Sequence, residues 1–235
     1  MNGIPFESRP LPLLRGTERG AEYQNPESPQ AIGQGVAGKR VFDPVLRTLH
    51  AWNALLVVGL LVTAELSQWF GYSARGEFLW RLHVWLGMAL ILGLIARVTW
   101  GVVGPRYARF SDLWHPREWA CAARTGRWFT PPRRFGHHAQ ASAAYLALYL
   151  LLLVMGISGL VLAALEQNMG PLVPWIDFRV EYLWLFKTPH LFVEKLIMIY
   201  IVLHLGAVFL HHRLHGVQIA QSMYNGYQFH RVDRW

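Results

Sequence analysis

His190 and His204 are the residues whose types and spacing point most clearly to chemistry. They lie fourteen residues apart in the apolar stretch 189–210. Fourteen residues make almost four turns of α-helix, so both imidazoles leave nearly the same face, separated by about 21 Å of rise. That distance is most of the hydrocarbon depth of a bilayer, about 30 Å. Since imidazole is a haem ligand, this helix has the arrangement that two stacked haems need.

Two more histidines can complete two bis-histidine sites. His50 and His83 stand at the starts of two other apolar stretches. A single histidine in an apolar segment is more often an interfacial or hydrogen-bonded residue than a ligand. Four histidines that fall into two pairs at matched depths favour two haems.

The composition indicates an integral membrane protein. Apolar residues make up 53% of the chain and charged residues only 15%, against about 25% charged residues in soluble domains. The chain contains 11 Trp and 12 Phe, and aromatic side chains are frequent at the level of the lipid headgroups. The pI of about 10.0 does not indicate nucleic-acid binding, because the basic residues flank apolar runs and form no single patch. The expected partners therefore include membrane lipid and exclude nucleic acid.

Four apolar stretches are each near the 20 or so residues needed to cross a bilayer. They cover about residues 50–70, 83–103, 141–165 and 192–210. The sequence therefore predicts an all-α membrane protein, a bundle of four transmembrane helices with the haems between them.

Basic residues outside the spans predict the orientation. Three of the segments that connect or flank the spans are rich in arginine: the N-terminal segment, the loop between spans two and three, and the segment after span four. The opposite side has only four basic residues, Arg75, Arg81, Arg179 and Lys187. Both termini are therefore predicted to be cytoplasmic, with the loops at about residues 71–82 and 166–189 facing outward.

Three regions follow from these boundaries. Residues 1–45 are predicted to be an extended or disordered cytoplasmic tail, 46–212 the four-helix transmembrane domain, and 213–235 a cytoplasmic C-terminal segment. The first forty residues contain no hydrophobic core of a cleaved signal peptide. Span one is therefore expected to act as an uncleaved targeting signal for a multi-pass protein of the bacterial inner membrane.

Topology assigns the ligand pairs. With the N-terminus inside, His83 and His190 share the outer depth, and His50 and His204 share the inner depth. His211 competes with His204, since it lies two turns farther along the same face, but it would move the inner haem to the membrane edge. A solvated role is expected for the remaining histidines, His115, His137, His138, His211, His212, His215 and His230.

The lone Cys121 limits the kind of haem. One cysteine excludes an intrachain disulfide, a cysteine-ligated iron-sulfur cluster within the chain and a thioether-attached haem. The cofactors are therefore predicted to be two haem b groups held by histidine. Cys121 itself is expected to have no role.

Further residues are candidates for the haem environment. Gly87, one turn after His83, would give room to a porphyrin edge, although ordinary small-residue helix packing explains it equally well. Arg97 returns to the face of His83 near the cytoplasmic side and would pair with an inner haem propionate, with snorkelling to the interface as the alternative. Lys195 is expected to pair with Glu194 or Glu65 rather than with an outer propionate. Other glycines suited to close packing around a haem are Gly59, Gly93, Gly156, Gly159 and Gly206.

Several strings resemble the bacterial di-haem b-type cytochromes of the cytochrome b561 superfamily, which include the cytochrome b subunit of nickel-iron hydrogenases. They are "VFDPVLRTLHAWN", "RLHVWLGMALILGLIARVTWGVVGPRYARF", "RRFGHHAQASAAYLALYLLLLVMGISGL" and "FVEKLIMIYIVLHLGAVFLHHRLHG" followed by "SMYNGYQ". The resemblance covers about residues 41–228. It implies that His50, His83, His190 and His204 are the axial ligands. Lys195 and the long N-terminal segment depart from the family's usual pattern.

The resemblance also implies an electron-transfer subunit that takes electrons from a periplasmic partner with iron-sulfur clusters or c-type haem and reduces a quinone. The partner is expected to dock on the outer loop at residues 166–189. Arg47, Tyr224 and Tyr227 are candidates for polar contact with the quinone. One alternative is a haem b anchor that relays electrons to or from a c-type cytochrome or ferric acceptor, with no quinone site of its own. A haem-free structural anchor or transporter is the other.

Overall fold

Four long helices dominate the computed structural model, which describes residues 30–31, 36–126, 136, 139–177, 179–215 and 219–231. The elements are β1 (Gln30–Ala31), β2 (Val36–Arg40), α1 (Pro44–Phe70), α2 (Ala74–Val103), α3 (Pro116–Thr125), α4 (Ala139–Gln167), α5 (Val180–His215), α6 (Ile219–Asn225) and β3 (Tyr227–Arg231), with 3₁₀ turns at Arg106–Ala108, Phe110–Leu113 and Val173–Trp175. α1, α2, α4 and α5 are each long and apolar enough to cross a membrane. The predicted four-span bundle is confirmed.

The four long helices extend beyond the apolar stretches from which the spans were predicted. α5 begins at Val180, so the predicted outer loop at residues 166–189 is too long, and much of its aromatic stretch is helical. Glu181 and Lys187 interrupt the apolar run there, but a helix continues past such charges where it leaves the hydrocarbon. For the same reason His50 and His83 lie well inside α1 and α2 rather than at their starts.

A short hairpin joins α1 to α2. Gly71 ends α1 with φ +54°, a left-handed conformation that favours glycine. Ser73 caps α2, because its hydroxyl accepts a hydrogen bond from the Gly76 amide at 3.2 Å. Gly76 lies so close to the Gly71 carbonyl that no side chain fits there. This turn sets the register of α1 against α2.

The core contains one apolar layer to which all four spans contribute. Its buried members are Leu56, Leu90, Leu152, Val193 and Ile197. α1 packs mainly on α2 and α4 mainly on α5, and α2 packs on α4 to join the two pairs. Most other large apolar side chains on the spans are exposed, as expected of a surface that faces hydrocarbon.

We call the end of the bundle where α1 and α4 begin and α2 and α5 end the terminal face. Here β2 pairs antiparallel with both β1 and β3, with Gly38 opposite Phe229. Val41 and Phe42 are buried below the sheet against Leu46 and Ala108. Residues 36–42, which were predicted to belong to an extended tail, are therefore ordered against the C-terminal segment. Residues 1–29 lie outside the described residues.

Candidate functional site

His83 of α2 and His190 of α5 line one cavity of about 340 Å³ between the helices. Both imidazoles are half-buried. The structure therefore brings together the two histidines that were predicted to form the outer pair, in the half of the bundle away from the terminal face.

Hydrogen bonds from α1 orient the His83 ring. Its Nδ1 lies 3.1 Å from the Leu60 carbonyl oxygen and 3.2 Å from the Thr63 hydroxyl. Since a carbonyl only accepts, Nδ1 carries the proton. The lone pair then resides on Nε2, which is the form of histidine that binds a metal.

His190 is oriented in the same way from α4. Its Nδ1 lies 2.9 Å from the Ser158 hydroxyl, which itself donates to the Val154 carbonyl at 2.6 Å. Because the serine proton is used in that bond, the serine oxygen accepts from Nδ1 of His190. Ser158 is buried. Thr63 and Ser158 are functional candidates that the sequence analysis missed, since only the packing of neighbouring helices brings them to the histidines.

Glycines line the same cavity. Gly87, a predicted site residue, lines it together with Gly156 and Gly159 of α4. A Cβ at position 159 would lie 3.2 Å from Cε1 of His190. A Cβ at Gly87 would meet only Leu60, at 3.9 Å. The absence of a side chain at Gly159 therefore leaves space for the His190 ring. A side chain at position 159 would disturb the site more than one at position 87.

Charged side chains surround the outer end of the cavity. Lys187 of α5 lies 2.7 Å from Glu166 of α4, and both residues line the cavity. Lys195 lies 3.4 Å from the buried Glu194 and 4.0 Å from Glu65. Lys195 thus has the carboxylate partners that were predicted for it.

His50 lies two turns into α1, and His204 lies about three turns before the end of α5, so both are in the half of the bundle toward the terminal face. His50 is exposed and His204 is half-buried. Tyr200, one turn before His204, lies with its ring nearly parallel to the imidazole, 7° from coplanar and 5.9 Å between centroids. The two residues of the second predicted pair therefore lie in the same half of the bundle, and their pairing stays a prediction.

Arg97 is buried between α2 and α4. Only 6% of its surface is exposed, and its Nη1 has no hydrogen-bond partner among the described residues. Its guanidinium lies 5.3 Å from the Phe110 ring and 5.8 Å from the Tyr149 ring. This burial argues against the snorkelling alternative, because a snorkelling arginine extends its charged group into water.

The remaining candidates lie elsewhere. Arg47 donates a hydrogen bond to the Tyr224 carbonyl at the terminal face. The Tyr224 side chain is 87% exposed and that of Tyr227 39%. Cys121 is exposed on α3. His137 and His138 lie outside the described residues, and so do the side chains of His211, His212, His215 and His230.

The chemistry of these residues fits haem. The outer pair offers two nitrogen ligands with fixed tautomers and a cavity edged by glycines. Arg97 is buried in the half of α2 toward the terminal face, and its Nη1 has no hydrogen-bond partner among the described residues, which suits an anionic propionate. Bis-histidine ligation of this kind is typical of haems that transfer electrons.

Comparison with known proteins gives one family. Residues 41–226 match the family model described as prokaryotic cytochrome b561. The chain is 22% identical over 227 residues to a probable Ni/Fe-hydrogenase 1 B-type cytochrome subunit of Escherichia coli K12, covering 87% of this chain and 97% of that protein. It is 27% identical over 140 residues to cytochrome b561 homolog 2 of the same strain, covering 58% of this chain and 62% of that protein. No solved structure matches the chain.

Proposed function

The chain belongs to the prokaryotic cytochrome b561 family of membrane proteins with b-type haem, and from this premise we propose that it is a di-haem cytochrome b subunit of a respiratory complex. It would carry electrons across the bacterial inner membrane between a periplasmic redox partner and the quinone pool. The observation that carries the proposal is that His83 and His190 line one cavity with Nδ1 of each ring held by a hydrogen bond, while His50 and His204 lie in the other half of the bundle.

The distribution of arginine supports an orientation with the terminal face in the cytoplasm. The described loop between α2 and α3 contains Arg106 and Arg109, and α3 contains Arg117 and Arg124. The opposite end of the bundle has Arg75 and Arg81 in the first turns of α2, and Arg179 and Lys187 near the start of α5. The basic residues of the end with Arg106, Arg109, Arg117 and Arg124 also include Lys39, Arg40, Arg47 and Arg213. Basic residues near the membrane favour the cytoplasmic side. The pair His83 and His190 is then the outer one.

Each histidine pair would hold one haem, which supplies reversible one-electron transfer when bound. The Leu60 carbonyl at His83 and the Ser158 hydroxyl at His190 would keep Nε2 of the outer histidines free to bind iron, because they hold Nδ1 protonated. Arg97 would place its free Nη1 against an inner propionate. The apolar layer around Leu90 and Ile197 lies between the level of the outer pair and that of the inner pair.

The redox partner would dock on the face opposite the terminal face. Trp69, Tyr72 and Trp175 are each more than four-fifths exposed there. Exposed aromatic side chains at one end of a bundle suit either the membrane interface or a protein contact. The relative named as a hydrogenase cytochrome subunit supports a partner of the hydrogenase type, with iron-sulfur clusters or c-type haem as its electron source.

Quinol oxidation by the purified protein tests the proposal. The protein is expected to contain two b-type haems per chain, and decylubiquinol or a menaquinol analogue should reduce them in anaerobic absorption spectra. Haem that dithionite reduces but quinol does not would favour the relay to another acceptor. A chain without haem absorbance would contradict the proposal entirely.

A further inference from the structure

Two side chains of the Asp, Glu, Lys and Arg class are buried among the described residues, and they have opposite signs. Arg97 of α2 is 6% exposed and Glu194 of α5 is 7% exposed. Arg97 lies in the half of the bundle toward the terminal face, whereas Glu194 lines the cavity of His83 and His190 in the other half. A charged residue inside a membrane is costly and usually functional. The burial of Glu194 therefore needs an explanation.

Glu194 lies four residues after His190 in the same helix. Residues four apart in an α-helix share a face and are separated by about 6 Å along the axis. Both residues line the same cavity, together with His83 of α2. A carboxylate is therefore present beside the outer site. The inner site is farther away, because His204 lies ten residues after Glu194, about 15 Å of rise.

Lys195 does not cancel this negative charge at the cavity. Its Nζ lies 3.4 Å from Oε1 of Glu194, whereas a strong hydrogen bond between an ammonium and a carboxylate measures about 2.7–2.9 Å. The Lys195 side chain is 60% exposed and does not line the cavity. The same Nζ lies 4.0 Å from Glu65 of α1, so one cation faces two carboxylates. The three residues together carry a net negative charge, and the buried member is the one at the outer site.

The need of Lys195 for a partner does not explain why Glu194 is buried. Glu65 already offers Lys195 a carboxylate, and the Glu65 side chain is exposed. An exposed pair avoids most of the desolvation cost that a buried carboxylate carries. Lys187 and Glu166, which also line the cavity, form such a pair at 2.7 Å with both side chains partly exposed. The position of Glu194 is better explained by an effect on the group that the cavity holds.

We propose that the carboxylate of Glu194 lowers the midpoint potential of the haem held by His83 and His190. This inference rests on the proposed function, and it gives Glu194 no role as an iron ligand. A nearby negative charge stabilises the oxidised iron, which carries one more positive charge than the reduced iron. In the low dielectric of a membrane bundle this interaction is stronger than it would be in water.

Arg97 has the opposite sign and lies in the opposite half of the bundle. Its positive charge favours the reduced state of the inner site, as the charge of Glu194 favours the oxidised state of the outer site. Both buried charges therefore make the transfer of an electron from the outer site to the inner site more favourable. That transfer oxidises the outer site and reduces the inner site by one electron each, and it forms or breaks no bond.

Redox titration of the purified, haem-loaded chain tests the inference. The spectral component that is lost in His83→Ala identifies the outer haem. Glu194→Gln replaces the carboxylate by an amide of similar size. It should favour reduction of the outer haem about tenfold, which is a rise of about 59 mV in the midpoint potential. The inner haem should shift less, because Glu194 is farther from His204 than from His190.

Two matched variants separate the effect of charge from that of packing. Glu194→Asp keeps the charge and changes the shape, so its outer haem should have a midpoint potential close to that of wild type. Glu181→Gln makes the same chemical change at an exposed position in the first turn of α5. Glu181 lies nine residues before His190, about 13 Å of rise, and its substitution should leave both midpoint potentials unchanged.

Haem content is measured on every variant. An outer midpoint potential that does not rise in Glu194→Gln would overturn the inference, and so would equal shifts in Glu194→Gln and Glu194→Asp, which would indicate packing. Loss of the outer haem from Glu194→Gln would overturn it too, because Glu194 would then be a residue that holds the cofactor. If wild type has no haem absorbance, the proposed function itself fails. With two haems present, an unmoved potential refutes only the role of Glu194.

Discussion

The hydroxyl of Ser158 on α4 lies 2.9 Å from Nδ1 of His190 on α5. His190 is thus oriented by a residue of the span with the highest hydropathy, and that span contains no histidine. Thr63 of α1 has the matching position at His83 of α2, at 3.2 Å. Each outer histidine is therefore held by the helix that packs most closely against its own.

Ser158→Ala should weaken haem binding at the outer site by about 10- to 100-fold, the usual cost of losing a partner of a metal-ligating histidine. Haem that remains should have a higher midpoint potential, because a less basic imidazole stabilises ferric iron less. Haem titration and spectroelectrochemistry measure the two effects.

Thr63→Val is the comparison variant for Ser158→Ala. His83 keeps the Leu60 carbonyl at 3.1 Å when the threonine hydroxyl is removed. A smaller loss of haem affinity than in Ser158→Ala is therefore expected. An equal or larger loss would mean that these hydrogen bonds do not determine how firmly each histidine is held.

Gly159→Leu should abolish the outer haem and keep the inner one. Even a Cβ at this position lies 3.2 Å from the His190 ring, so a leucine side chain must displace it. Haem per chain, measured as the pyridine haemochrome, is expected to fall from two to about one. Ala147→Leu on the same helix is the control, since Ala147 is exposed and lines no part of the cavity. Two haems in Gly159→Leu would show that the cavity does not need this glycine.

Arg97→Met should lower the midpoint potential of the inner haem. A buried positive charge favours the reduced iron, which carries less positive charge than the oxidised iron, and methionine removes that charge while it fills much of the space. Redox titration of wild type and variant measures the shift. The outer haem should keep its midpoint potential. A shift confined to the outer haem would contradict the assignment of Arg97 to the inner haem.

Gly93→Val should destabilise the bundle without a direct effect on a ligand. A Cβ at position 93 of α2 would overlap Asn53 and Trp52 of α1. Overpacking of this kind costs about 1–3 kcal/mol. Thermal unfolding in detergent should show a lower Tm than that of wild type. An unchanged Tm would mean that α1 and α2 separate easily at this level.

The four apolar stretches were enough to predict the bundle and its membrane location, and the resemblance of the strings within residues 41–228 was enough to predict its family. The predicted start of the fourth span was too late. The charges of Glu181 and Lys187 interrupt the apolar pattern, but they do not interrupt the hydrogen bonding of the helix, which begins at Val180. The pairing of β2 with β3 joins segments at opposite ends of the chain, and local pattern gives no information on such pairs. Ser158 and Tyr149 each look like ordinary residues of an apolar helix, and only the packing of α4 against its neighbours gives them partners. The assignment of the four histidines as ligands stays a prediction.

Haem content of four single variants tests the central claim most directly. His50→Ala, His83→Ala, His190→Ala and His204→Ala are purified, and each is examined by haem per chain and by the reduced-minus-oxidised spectrum. The pairing predicts that His83→Ala and His190→Ala lose the same spectral component, that His50→Ala and His204→Ala lose the other, and that each keeps about one haem. Two haems in His204→Ala with one in His211→Ala, or the same component lost from His83→Ala and His204→Ala, would contradict the account.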